Sequence, residues 1–244
     1  MKLGEGVHIV RGVLDLEETK SFYKELGYVT LDESNKPNKW ILFTDGRINL
    51  LIDEGEMKYS GLIYFNPNFD DVVSYIENLG FNFLRKNPKT EHIPESAIFL
   101  DPEGFGCNLV NSTYDSKIKP DINGESKVDF GKFGELANTV KDLDVVVEFW
   151  TKLGYEITLK ETEPHPWAIL TDGLMVLGFH QEDWGPENNN PTLTYFDPNM
   201  DQILPIIQEN GIELTTVEGL SLESGNGVAI APDGSRIFLF KGDI

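Results

Sequence analysis

The sequence predicts an α+β fold of two tandem domains, each a pair of strand–helix–three-strand units. Three observations predict it. A set of landmarks recurs along the chain at a nearly constant offset. Apolar residues follow strand and helix periods in the same order in each half, and a polar stretch separates the halves.

The recurrence is specific. Asp15-Leu16-Glu17 returns as Asp142-Leu143-Asp144, Leu26-Gly27-Tyr28 as Leu153-Gly154-Tyr155, Trp40 as Trp167, and Thr44-Asp45-Gly46 as Thr171-Asp172-Gly173, all at an offset of 127. Tyr64-Phe65-Asn66-Pro67-Asn68 returns as Tyr195-Phe196-Asp197-Pro198-Asn199 at 131, and Pro102-Glu103-Gly104 as Pro232-Asp233-Gly234 at 130. Small drifts of this kind are loop insertions and deletions. Between the copies, the stretch from Asn111 to Lys127 carries Pro120, Gly124 and few large apolar residues. It reads as too polar to offset its own ordering entropy. The domains are therefore placed at residues 1–112 and 128–244, with 113–127 as a linker.

Within the first copy the elements follow in order. Val7–Val13 is β-branched and apolar, hence a strand. Asp15 opens a helix, with Glu18 at capping-box spacing, and Leu16, Thr19, Phe22, Tyr23 and Leu26 share one helical face. Gly27 suits the left-handed residue that ends such a helix. Tyr28–Leu31, Trp40–Thr44 and Ile48–Ile52 read as strands, the last two joined through Asp45-Gly46. The unit then repeats. Gly61–Phe65 is a strand, and Asp70 or Asp71 caps a helix that ends at Gly80. Phe81–Leu84, Ser96–Leu100 and Cys107–Val110 follow as strands. In the second copy Pro205 falls inside the fourth helix unless that helix starts near Asp201.

Composition narrows the function classes. The formal net charge is −21, with −7 over residues 1–122 and −14 over 123–244. Such a chain repels phosphate backbones and anionic bilayers, so neither nucleic acid nor a membrane is an expected partner. No apolar run is long enough for a membrane helix, and no secretory signal is seen at the N-terminus. One cysteine, Cys107, forms no internal disulfide, and a cytoplasmic location is expected. In a strand it serves as a small apolar residue.

The motifs in their order resemble the vicinal oxygen chelate superfamily, the glyoxalase, bleomycin-resistance and dioxygenase group. His8, Asp15-Leu16, Phe22-Tyr23 and Leu26-Gly27-Tyr28 match its opening pattern. Asp101-Pro102-Glu103-Gly104 and Ala231-Pro232-Asp233-Gly234 match its closing turn. The resemblance implies a curved mixed sheet in each domain, helices on the convex side, and a site on the concave face. It also implies a divalent ion held from the first, fifth and eighth strands. By motif spacing those positions are His8, Leu62 and Asn108 in the first copy, and Glu135, Leu193 and Phe238 in the second. Each copy keeps one strong ligand at most, so His8 and Glu135 are the only metal candidates and no cofactor is predicted.

Strand alternation from Leu62 then puts Tyr64 and Tyr195 in the clefts and turns Phe65 and Phe196 to the helices. The expected ligand-binding residues are His8, Tyr64, Asn108, Glu135, Tyr195, Phe238, Trp40 and Trp167. His92, His165 and His180 are expected on surface loops. The favoured reading is a small-molecule-binding protein, with a cationic, drug-like ligand suited to aromatic walls and acidic surroundings. Two alternatives stay open. One is a metal-dependent lyase, isomerase or dioxygenase of glyoxalase type, with His8 and Glu135 facing a shared site. The other is a non-catalytic interaction protein with vestigial clefts. The fused pair would act as a monomer with an internal pseudo-dimer, or as a homodimer.

Overall fold

The computed structural model describes residues 1–36, 38–91, 93–181, 191–217 and 219–244. His92 lies outside them. The first domain runs β1 (Gly6–Val13), α1 (Leu16–Glu25), β2 (Val29–Ser34), β3 (Trp40–Thr44), β4 (Asn49–Glu54), β5 (Tyr59–Phe65), α2 (Phe69–Asn78), β6 (Phe83–Asn87), β7 (Ser96–Leu100) and β8 (Gly106–Val110). The second repeats it as β9 (Lys132–Thr139), α3 (Leu143–Lys152), β10 (Glu156–Glu161), β11 (Trp167–Thr171), β12 (Val176–His180), β13 (Thr192–Asp197), α4 (Met200–Glu209), β14 (Leu214–Thr215), β15 (Gly227–Ile230) and β16 (Arg236–Lys241). Each domain is one eight-stranded mixed sheet, ordered β2-β3-β4-β1-β5-β8-β7-β6 and β10-β11-β12-β9-β13-β16-β15-β14. The two units of a domain join where the first strand of one pairs antiparallel with the first strand of the other, β1 with β5 and β9 with β13.

Local chemistry explains the helix ends. Asp15 accepts from the Glu18 N–H and Asp142 from the Val145 N–H, each satisfying one free donor of a first helical turn. Gly27 and Gly154 stop the same two helices with φ of +95° and +97°, where a Cβ would be strained. Helix α2 departs from expectation: its cap is Asn68, with no side-chain bond to the helix, so Asp70 and Asp71 sit in the first turn instead. There their charges still favour the positive end of the helix dipole. Helix α4 runs straight through Pro205, which forfeits the bond that the Asp201 carbonyl would have received.

One face of each sheet carries the helices, and the buried apolar residues of both domains form one continuous core. Its centre is two buried polar chains with matching parts. Tyr28 donates to the Tyr195 hydroxyl (2.6 Å), which donates to Asp45 Oδ2 (2.6 Å). Tyr155 pairs with the Tyr64 hydroxyl (2.5 Å), which donates to Asp172 Oδ2 (2.7 Å). Each chain crosses from one domain to the other. Burial, then the nearby carboxylate, pushes all four phenol pKa values well up, so each stays a donor.

The polar stretch between the domains is ordered, contrary to its composition. Tyr114 and Ile122 are buried, Arg47 Nε donates to the Ile122 carbonyl, and the Lys127 and Asp121 N–H groups bond to Asp45 and Gly46 carbonyls. A few anchors dropped into the first sheet supply what average polarity does not reveal.

Candidate functional site

The face of each sheet turned away from the helices holds the hollow. Strand register decides which residues stand there. His8 lies opposite Ile63, Ile63 opposite Asn108, and Trp40 opposite Asp53. These share one face with Val10, Phe65 and Val110. In the second sheet Thr194 lies opposite Phe238 and Phe196 opposite Phe240. The fifth-strand positions are thus Ile63 and Thr194, one residue after Leu62 and Leu193. That slip reverses every assignment on those strands. Tyr64 and Tyr195 point into the core and form the chains between domains, while Phe65 and Phe196 face the hollows.

The first hollow is filled from within. Tyr114 lies over His8 and Phe65, with ring centroids 5.3 Å from each, and its hydroxyl meets His8 Nδ1 at 3.4 Å and Asn49 Nδ2 at 3.0 Å. Gly6 permits this, since a Cβ there would stand 2.3 Å from the Tyr114 ring. Phe65 completes a triangle of rings, its centroid 5.0 Å from that of His8. Burial lowers the His8 pKa to about 4, so the imidazole is neutral at pH 7. Asn108 presents a buried Oδ1 without a partner among the described residues. Trp40 is half-buried at the start of β3.

The second hollow contains open space. A cavity of about 700 Å³ is lined by Trp167, Ile169, Phe196, Phe240, Leu159 and Ile244, with Glu135, Glu163, His165, His180 and Lys241 among them. Three of its polar groups form a chain. Glu135 Oε1 meets His180 Nε2 at 2.9 Å, and His180 Nδ1 meets His165 Nε2 at 3.4 Å. The His180 ring lies flat on Trp167, 5.9 Å between centroids and 4° between planes. Gly178 is required beneath it, because a Cβ there would fall 2.1 Å from Glu135 Oε2. Phe238 is buried and stacks on Phe240 at 5.5 Å, backing the wall.

His165 lies in the loop between β10 and β11, as expected, but is half-buried rather than on the surface, and His180 is not a loop residue. His180 ends β12, facing Trp167 across β11, and both histidines are half-buried. The parity of Val176-Gly178-His180 beside a strand bearing Glu135 was the available signal. Glu135 and His8 do not share a site: they stand in different sheets with different neighbours.

The divalent ion implied by the resemblance does not fit these residues. Its three positions hold His8, Ile63 and Asn108 in one sheet and Glu135, Thr194 and Phe238 in the other. Ile63 and Phe238 have no donor atom, and Thr194 Oγ1 already bonds the Glu135 backbone at 3.0 Å. Among the described residues no group of three or more His, Cys, Asp or Glu is placed to hold a metal ion.

Comparison with known proteins places the fold. Over 98% of its length the chain matches a catechol 2,3-dioxygenase (87% of that chain, 15% identity, TM-score 0.65). It matches a variant of homoprotocatechuate 2,3-dioxygenase from Brevibacterium fuscum over 99% of its length (72% of that chain, 17% identity, TM-score 0.64). A 2,3-dioxygenase from Pseudomonas sp. KL28 gives 97%, 91%, 16% and 0.62 in the same terms. The chain thus has the vicinal oxygen chelate fold, in its tandem two-domain form. In sequence, 196 residues, or 65% of this chain, are 25% identical to a lactoylglutathione lyase of Schizosaccharomyces pombe, of which the match spans 62%. No protein-family profile matches. Among the described residues no helix is long and apolar enough to cross a membrane.

Proposed function

We propose that this chain binds a small aromatic or aliphatic cation in the second hollow, without a metal ion. The observation that carries the reading is the asymmetry between the hollows. The first is packed by Tyr114, whereas the second is a cavity of about 700 Å³ walled by Trp167, Phe196 and Phe240, with the Glu135 carboxylate within it. That volume suits a drug-sized molecule. The flat rings offer their electron-rich faces to a cation, each worth roughly 0.5–2 kcal/mol depending on water exclusion. The acidic surface adds attraction over about 8 Å at physiological salt. The fold is shared with catechol and homoprotocatechuate 2,3-dioxygenases, and no reaction is carried over from them.

Calorimetric titration with benzyltrimethylammonium, using benzyl alcohol as the uncharged control, tests this reading. Saturable binding of the cation is expected, weakened about tenfold in Glu135→Gln and in Trp167→Leu. Absence of saturable heat, or equal affinity in both variants, would rule the reading out.

A further inference from the structure

A second pocket lies at the junction of the domains. Arg11, on the core side of β1, is almost fully buried, with 1% of its surface exposed. A guanidinium holds its charge at any working pH, and a buried charge is costly unless an anion meets it. Yet among the described residues no carboxylate stands within ion-pair distance. Arg11 donates from Nη1 to the Tyr23 hydroxyl (2.7 Å) and to Ser235 Oγ, and weakly from Nη2 to the Pro191 carbonyl (3.4 Å). Its Nε–H is buried with no acceptor among the described residues. Asp233 stands one hydroxyl further on, and its Oδ1 is taken by Ser235 Oγ (2.6 Å) and the Ser235 N–H (3.0 Å).

Beside Arg11 is a cavity of about 210 Å³, walled by Lys58, Tyr59, Ser60, Pro191, Asp233 and Ser235. Lys58 is exposed and reaches across the junction to the Asp233 backbone carbonyl at 2.6 Å. Among the described residues, two cationic side chains against one carboxylate line this pocket, on a chain whose net charge is −21. The equivalent cavity of the second copy, about 160 Å³, lacks this charge, since Asn138 stands where Arg11 does and Phe105 where Ser235 does, and Asp101 and Glu103 line it.

We propose that this junction pocket binds a small oxyanion, a phosphate or carboxylate group, with Arg11 and Lys58 supplying both charge and N–H donors. The unused Nε–H and the second Nη2 hydrogen of Arg11 form the fork that takes two oxygens of one anion. An anion held there also links the domains, so binding raises the stability of the whole chain.

The test is thermal unfolding of the full chain in inorganic phosphate and, separately, in acetate, with sodium chloride at matched ionic strength as the baseline. A saturable rise in Tm with at least one anion is expected, and the arm that responds identifies the headgroup. Lys58→Ala, on the surface, keeps the fold and should weaken the apparent affinity about tenfold. Arg11→Met should abolish the response; should that variant not fold, Lys58→Ala decides. The proposal is overturned by a Tm that tracks ionic strength alone with both anions, or by Lys58→Ala responding like the wild type. Cation binding in the second hollow is read by a different probe at different residues, so either result stands without the other.

Discussion

His8 shows how a burial choice becomes a pH response. Phe65 and Tyr114 enclose its ring, and loss of water holds its pKa near 4 against 6.5 in the unfolded chain. Between those values the unfolded chain binds a proton that the folded chain refuses. Acidification through this window therefore favours unfolding, by up to roughly 3 kcal/mol once the lower value is passed. His8→Leu removes the term. Urea titrations at about pH 7 and pH 4 should show a smaller loss of stability in the variant, by that amount, and parallel losses would mean that His8 is charged in the folded protein. The identity of His8 as a facing residue was legible from its motif. The partners on β5 were not, because a strand side chain changes face with every residue and the spacing misplaced the reference by one. Tyr64 and Tyr195 recur because they join the domains, and recurrence alone cannot separate that cause from ligand contact.

At the scale of elements, the segment between the domains acts as a plug. Tyr114 occupies the first hollow, and β1 accommodates it through Gly6. Tyr114→Ala should cost about 2–4 kcal/mol by leaving a cavity over His8. Gly6→Ala should cost about 1–3 kcal/mol in the wild type by pushing against that ring, and far less once the ring is gone. The double-mutant cycle should show coupling above about 1 kcal/mol, and strictly additive losses would place Tyr114 elsewhere. Composition announced a linker here, since the anchors Tyr114 and Ile122 are outnumbered by polar neighbours. The order of the helices and strands was legible because each has a period and a stop: Asp15 with Gly27, and Asp142 with Gly154. His180 was missed because its partners Glu135 and His165 are 45 and 15 residues away. Only sheet pairing brings them together.

At the scale of the molecule, the repeated landmarks and the domain junction are one feature. Tyr28 and Tyr155, Asp45 and Asp172, and Tyr64 and Tyr195 are pairs of equivalent positions. Each buried chain takes its members from both copies. A domain alone would expose the core face of β5 or β13 and leave Asp45 or Asp172 without its phenol donor. The two halves should therefore unfold as one. Calorimetry of the intact chain should give one transition, with calorimetric and van't Hoff enthalpies in a ratio near 1. Tyr64→Phe and Tyr195→Phe, which remove one hydroxyl each, should lower the unfolding free energy by about 1–3 kcal/mol apiece while the transition stays single. Two resolved transitions in the wild type, or a Phe variant that shifts the melting of one half alone, would show that the halves fold independently and that the tyrosine chains merely touch.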